Sequence, residues 1–174
     1  MPTDAAAIWS KARRILLPYE GSASQLYVLD VPVSECGAIV DLFTGFVAGP
    51  EIVGLDNHWG DPRELTAELR SELLSHTDRN TTHQLRGVHA GQEDVSLFLW
   101  LDSDSRTLDA ELVFWSDQLF PQPDEKSACL QKFQSYVDLA ESIRAHSPAS
   151  ECVLSASEAG DPRDERGKPW TCWW

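Results

Sequence analysis

The sequence predicts an α+β fold: one domain with a largely antiparallel sheet and helices packed on one face. Three observations carry this. Residues 95–101 and 108–115 both alternate with period two and are separated by a short polar connection, the signature of a hairpin. The predicted elements run helix, strand, helix, short strand, helix, hairpin, helix, strand, an order that suits a largely antiparallel sheet covered by helices. The length of 174 residues suits a single domain, residues 1–174, with a short Trp-rich tail at about 160–174.

The elements follow in order. Residues 5–17 read as an amphipathic helix, with Ile8, Ala12, Ile15 and Leu16 on one side and Lys11 and Arg14 on the other, ended by Pro18 and Gly21. Residues 25–31 are β-rich. In 33–46, Ala38, Ile39, Leu42, Phe43 and Phe46 fit a helical face, and Gly49-Pro50 stops it. A short strand is expected at 51–55. Asp61-Pro62-Arg63-Glu64 predicts a helix start: Asp61 as cap, Pro62 at the first helical position, Glu64 reaching back. Leu65, Leu69 and Leu73 then recur every fourth residue to about His76, and 78–91 reads as a long polar connection.

In the hairpin, Val95, Leu97, Leu99 and Leu101 share one face, and Phe98 and Trp100 the other. Leu108, Ala110, Leu112 and Phe114 lie opposite Asp109, Glu111 and Val113. Pro121 and Pro123 precede a third helix at about 124–146, with Leu130, Phe133, Val137, Ala140 and Ile143 as its buried stripe. A last strand is expected at 152–156. Asp-Pro-Arg occurs at 61–63 and again at 161–163, but the flanks differ, so these are two capped turns and not a repeat. Trp170, Trp173 and Trp174 close the chain and are expected to pack back onto the domain or to meet a partner.

Charge is unevenly spread. The net charge is −14. Residues 18–60 hold Glu20, Asp30, Glu35, Asp41, Glu51 and Asp56 and no Lys or Arg. Residues 91–125 hold nine acids against Arg106 alone. Such blocks steer basic partners inward and repel nucleic acid and anionic lipid, or they simply keep a protein soluble. Binding to nucleic acid or membrane is therefore not expected.

Cys36, Cys129, Cys152 and Cys172 form no Cys-x-x-Cys pair, and reduced thiols in a cytoplasm are expected. Residues 1–17 show no secretory apolar core, and no apolar run approaches the ~18 residues of a membrane span. Arg outnumbers Lys ten to four, as in a GC-rich bacterial coding background.

Sites of chemistry are sparse. No phosphate-cradling Gly loop, Gly-x-Ser-x-Gly elbow or His-Glu-x-x-His helix occurs. His76, His83 and His89 have spacings that suggest no common face and read as solvated loop residues near His58. Asp56 and His58 offer an acid/base pair, and a turn leading into Asp61 accounts for them equally well. Asp102, Asp104, Asp109 and Glu111 resemble a calcium loop only loosely, because the turn glycine is missing and Arg106 occupies a ligand slot. Neither a metal nor a cofactor is expected. Aromatic residues stand among the acids of the hairpin, which is hot-spot chemistry for a basic partner unless a helix covers that face. The candidate partner-binding residues are Asp102, Asp104, Asp109, Glu111, Trp115 and Asp117.

Leu112-Val113-Phe114-Trp115, then Phe120-Pro121, a long helix ending in Leu139-Ala140-Glu141, and Cys152-Val153-Leu154-Ser155 resemble the immunity partners of bacterial polymorphic or type VI-secreted toxins. The resemblance covers about the last third of the chain and transfers no functional residue. It implies cognate binding that plugs or distorts a toxin's active site. The acidic blocks make the expected target of this non-enzymatic inhibitor a basic toxin, a nuclease effector being one candidate class. An acidic secretion chaperone and a small enzyme of another family are the alternatives.

Overall fold

The computed structural model describes residues 3–17, 23–119, 126–156 and 160–174. The expected helix stop at Pro18 and Gly21 and the Pro121–Pro123 approach to the third helix lie outside these residues, as do Glu20, Asp124 and Glu125.

The α+β expectation holds. Eight strands form one sheet in the order β3-β2-β4-β5-β6-β1-β7-β8, and every neighbouring pair is antiparallel. The strands are β1 (Ala23–Pro32), β2 (Ala48–Leu55), β3 (His58–Glu64), β4 (Thr81–His89), β5 (Gln92–Asp102), β6 (Thr107–Trp115), β7 (Glu151–Ala156) and β8 (Thr171–Trp173). The helices are α1 (Ala5–Leu16), α2 (Cys36–Phe46), α3 (Ala67–Ser75), the short α4 (Ser116–Leu119) and α5 (Lys126–Arg144). Among the described residues, no helix is long and apolar enough to cross a membrane.

The core lies between the sheet and helices α1, α2 and α5. One row of paired residues shows how register builds it: Ile52, Leu85, Leu97, Leu112, Leu26, Leu154 and Cys172 stand side by side across seven strands. All seven are at most 1% exposed. Because side chains alternate, a one-residue slip of any strand would send its set to solvent, and this pins the register. Asp4 caps α1 by accepting from Ala6 N, and Trp9, Ala12, Ile15 and Leu16 are buried beneath it. Phe133, Val137, Ala140 and Ile143 form the buried stripe of α5 as expected, with Leu130 partly buried. All four cysteines are free and buried. Burial pushes the Cys36 and Cys152 thiols up to about 12, which leaves them poor nucleophiles.

Two expectations are overturned. Asp61 caps no helix: it stands exposed in β3, the edge strand, where Pro62 is tolerated because it has no ladder N–H to give. The cap is Thr66, whose Oγ1 accepts from Leu69 N at 3.3 Å. The fourfold leucine spacing still marks α3, and Leu73 is fully buried. The stronger local signal was the turn at Asp56-Asn57, where both residues have positive φ (50° and 63°) and β2 folds back into β3 as a tight hairpin.

Residues 78–91 are likewise no long connection, for they contain β4, hydrogen-bonded to β2 and β5 at the middle of the sheet. Gly87 in β4 faces the α2–β2 junction. A Cβ there would sit 2.5 Å from Val47 Cγ2, 2.6 Å from Val47 Cβ and 3.1 Å from Ala48 O. Gly87→Ala should therefore destabilise by about 1–3 kcal/mol through overpacking, although alanine ordinarily suits a strand better than glycine. A urea midpoint equal to that of the wild type would show that the junction yields freely.

Candidate functional site

Among the described residues, the helices cover only one face of the sheet. On the other face, register assembles a second row across all eight strands: Trp59, Gly54, Gln84, Phe98, Glu111, Tyr27, Val153 and Trp173. Seven inter-strand steps make it about 33 Å long. Trp100 and Asp109 pair in the adjoining row.

The segment 160–170 covers the β1–β7–β8 end of this face. Arg163 forks onto Asp109 with two bonds of 2.8 Å and reaches Asp30 at 2.8 Å. Arg166 pairs with Glu151 and lays its guanidinium 3.9 Å above the Trp173 ring. The rest of the face is open. Trp59, Trp100 and Trp115 are 52%, 45% and 37% exposed. The aromatics of the hairpin are thus not core beneath a helix.

Trp59 and Trp100 are held in place. Trp59 lies against Gly54, where a Cβ would meet its ring at 2.7 Å, and its Nε1 donates to Gln84 Oε1 at 3.0 Å. Trp100 stacks with Phe98 (centroids 5.9 Å apart, planes 16° apart) and donates from Nε1 to Glu111 Oε2 at 2.7 Å. Fixed orientation reduces the side-chain entropy lost when a partner binds.

Glu111 is the unusual residue of the face. It is only 4% exposed on the side of the sheet that no helix covers. Gln25 Nε2 donates to its Oε1 at 2.7 Å, Trp100 to its Oε2, and the Tyr27 phenol lies beside it. Burial raises its pKa, and the bonds from Trp100, Tyr27 and Gln25 oppose that shift. Burial, with the Glu111 carboxylate next in importance, also pushes the Tyr27 phenol up.

The six candidate residues do not form one patch. Asp109 and Glu111 stand on the open face, and Trp115 is at its end. Asp102 and Asp104 lie at the far turn, where Asp102 Oδ1 accepts from Asp104 N at 2.8 Å. Asp117 is at the other end of β6, about 30 Å of strand away, and accepts from Gln118 N. The sequence did not reveal Gln25 and Tyr27 as hydrogen-bond partners of Glu111, Phe98 as its cross-strand neighbour, or Trp59 as a further exposed aromatic of the same face. Only register brings them together.

Folding also redistributes the acidic blocks. Asp30 pairs with Arg163, Asp41 with Arg70, Glu51 and Asp94 with Arg86, and Asp56 with Arg79. Such pairs add little stability, but they cancel field locally. Arg70, Arg79, Arg86 and Arg163, all outside the two acidic blocks in sequence, thus fold back onto them.

His83, expected in solvent, is completely buried, and His89 is in β4 stacked on Phe46 at 3.7 Å. His58 Nδ1 meets the Asp56 main-chain oxygen, not its carboxylate. The carboxylate instead accepts from Thr81 Oγ1 at 2.8 Å and faces Arg79 and His76. Among the described residues, no group of three or more His, Cys, Asp or Glu is placed to hold a metal ion. Comparison of the chain with family models, with curated proteins and with solved structures finds no match.

Proposed function

We propose that this chain is a binding protein of the immunity type, which docks a basic bacterial toxin on the open half of its sheet and neutralises it. The observation that carries the reading is the display of Trp59, Trp100 and Trp115, the first two held by hydrogen bonds, on a sheet face that no described helix covers. Exposed tryptophans grouped on one surface, with polar groups around them, are the composition of an interface core. The net charge of −14 and the buried carboxylate at the centre of that face favour a basic partner. Against a nuclease, such a surface occupies the groove that would hold a phosphate backbone.

The test is co-expression in bacteria with the product of the adjacent gene. That product should kill alone and be harmless beside this protein. Trp100→Ala should abolish protection while leaving the melting temperature within a few degrees. Association should slow steeply from low to physiological salt, with dissociation changing less. A product that is harmless alone, or that kills equally with the protein present, overturns the immunity reading and puts the chaperone reading ahead of it.

A further inference from the structure

We infer that the open face contains a socket for one arginine side chain of the partner, formed by Glu111 and Gln25 Oε1 beside the Trp100 and Phe98 rings. The inference rests on the docking reading above and narrows it to a single contact.

The first ground is charge. Asp109, Glu51 and Asp94 each have an arginine of this chain within ion-pair distance. Glu111 is more buried than any of them, yet among the described residues no Lys, Arg or His lies within 4.0 Å of it. A buried carboxylate without a cation is costly, and an arriving cation recovers that cost.

The second ground is a shortage of donors. A carboxylate offers about four lone-pair sites, and Glu111 receives one bond each from Gln25, Trp100 and Tyr27, which leaves one site to fill. Gln25 spends its amide N–H on Glu111, and its own Oε1 is buried with no hydrogen-bond partner. Two acceptor groups in contact thus keep spare lone pairs in one place, beneath the Trp100 indole that an arriving group would displace. A guanidinium brings five in a planar fork, whereas an ammonium brings a compact point charge.

The third ground is the aromatic wall. Trp100, stacked with Phe98 and half exposed, offers a ring face to a cation. The chain already makes this kind of contact at the far end of the same row, where Arg166 lies over Trp173. In the open half the platform and the buried acid stand together, while the arginine of that half, Arg86, is held by Glu51 and Asp94.

The test uses the full chain and N-acetyl-L-arginine amide as probe, with the uncharged citrulline counterpart at the same ionic strength. Binding is followed by the indole N–H resonances in ¹H–¹⁵N spectra. The arginine probe should shift the Trp100 indole signal, and the citrulline probe should not. Glu111→Gln should weaken arginine binding by about tenfold. Asp104→Asn, the same charge change at the exposed turn, should weaken it less than about twofold. Equal shifts from citrulline, an unmoved Trp100 signal, or equal losses in the two variants would overturn the socket. If Glu111→Gln fails to fold, the arginine–citrulline comparison on the wild type decides. Protection without this response leaves the docking reading standing and removes the socket. The response without protection does the reverse.

Discussion

Phe114→Ala is expected to lower the unfolding free energy by about 3–5 kcal/mol, while Trp115→Ala, one residue further along β6, lowers it by about 1 kcal/mol or less. The two side chains leave the strand on opposite faces. Phe114 is fully buried, with its ring centroid 4.3 Å from that of Tyr136 in α5. Tyr136 in turn donates to Gln92, whose Nε2 holds the Trp115 carbonyl at 2.7 Å. Removing the Phe114 ring opens a cavity between sheet and helix where the surroundings are already tied. Trp115 is 37% exposed on the open face, and truncating it leaves that packing intact. Urea melts of the two variants check this. Equal losses would make Trp115 a core residue and remove it from the docking surface.

What was legible in the sequence was whatever packs by an apolar rule. The β5–β6 hairpin carries four aliphatic or aromatic residues per strand on the core face, and the buried stripe of α5 is equally regular. β4 escaped because its inward positions are Thr81, His83, Leu85 and Gly87, with a single large hydrophobe among them. Its neighbours bury it, not its own composition. β3 escaped because it is exposed along its whole length, so no alternation exists to be seen. Asp61-Pro62 there imitates a helix start, while the hydroxyl that caps α3 lies five residues later.

The site was legible only in part, for a related reason. Alternation placed Glu111 on the correct face but implied that it was solvated. Its burial comes from Gln25 on the neighbouring strand β1, 86 residues away in sequence, and from the Trp100 indole folded over it. Likewise, the blocks of charge read along the chain are not the charges of the surface. Arg163 reaches Asp30 across 133 residues and Asp109 across 54. The negative field that remains is therefore more local than the sequence implies, and the tryptophans carry more of the argument for binding than the acid count does.

Acidification should weaken the fold as pH falls from about 6.5 toward 4, with His83 as the main source. His83 Nδ1 accepts from the Asp56 main-chain N–H at 3.1 Å, so the neutral ring carries its proton on Nε2, which is buried without a partner. A second proton would have to go to Nδ1, against that N–H. Burial, reinforced by His76 and opposed by Asp56, lowers the His83 pKa to about 4. The unfolded chain takes up the proton near 6.5 and the folded chain only near 4. The stability from His83 is thus complete above the unfolded value and is lost as pH falls through this window, by about 2 kcal/mol at pH ~5 and about 3 kcal/mol in full. Glu111 acts in the opposite sense. Its raised pKa stabilises the fold below its unfolded value of 4.5 and loses that effect as pH rises, so Glu111→Gln is the background that isolates His83. In it, His83→Asn keeps an acceptor near Asp56 N–H and removes the titration. Urea midpoints compared between neutral pH and about pH 5 should fall less in the double variant than in Glu111→Gln alone. An equal fall in both would place the acid sensitivity elsewhere, with Asp56 and His76 the next groups to substitute.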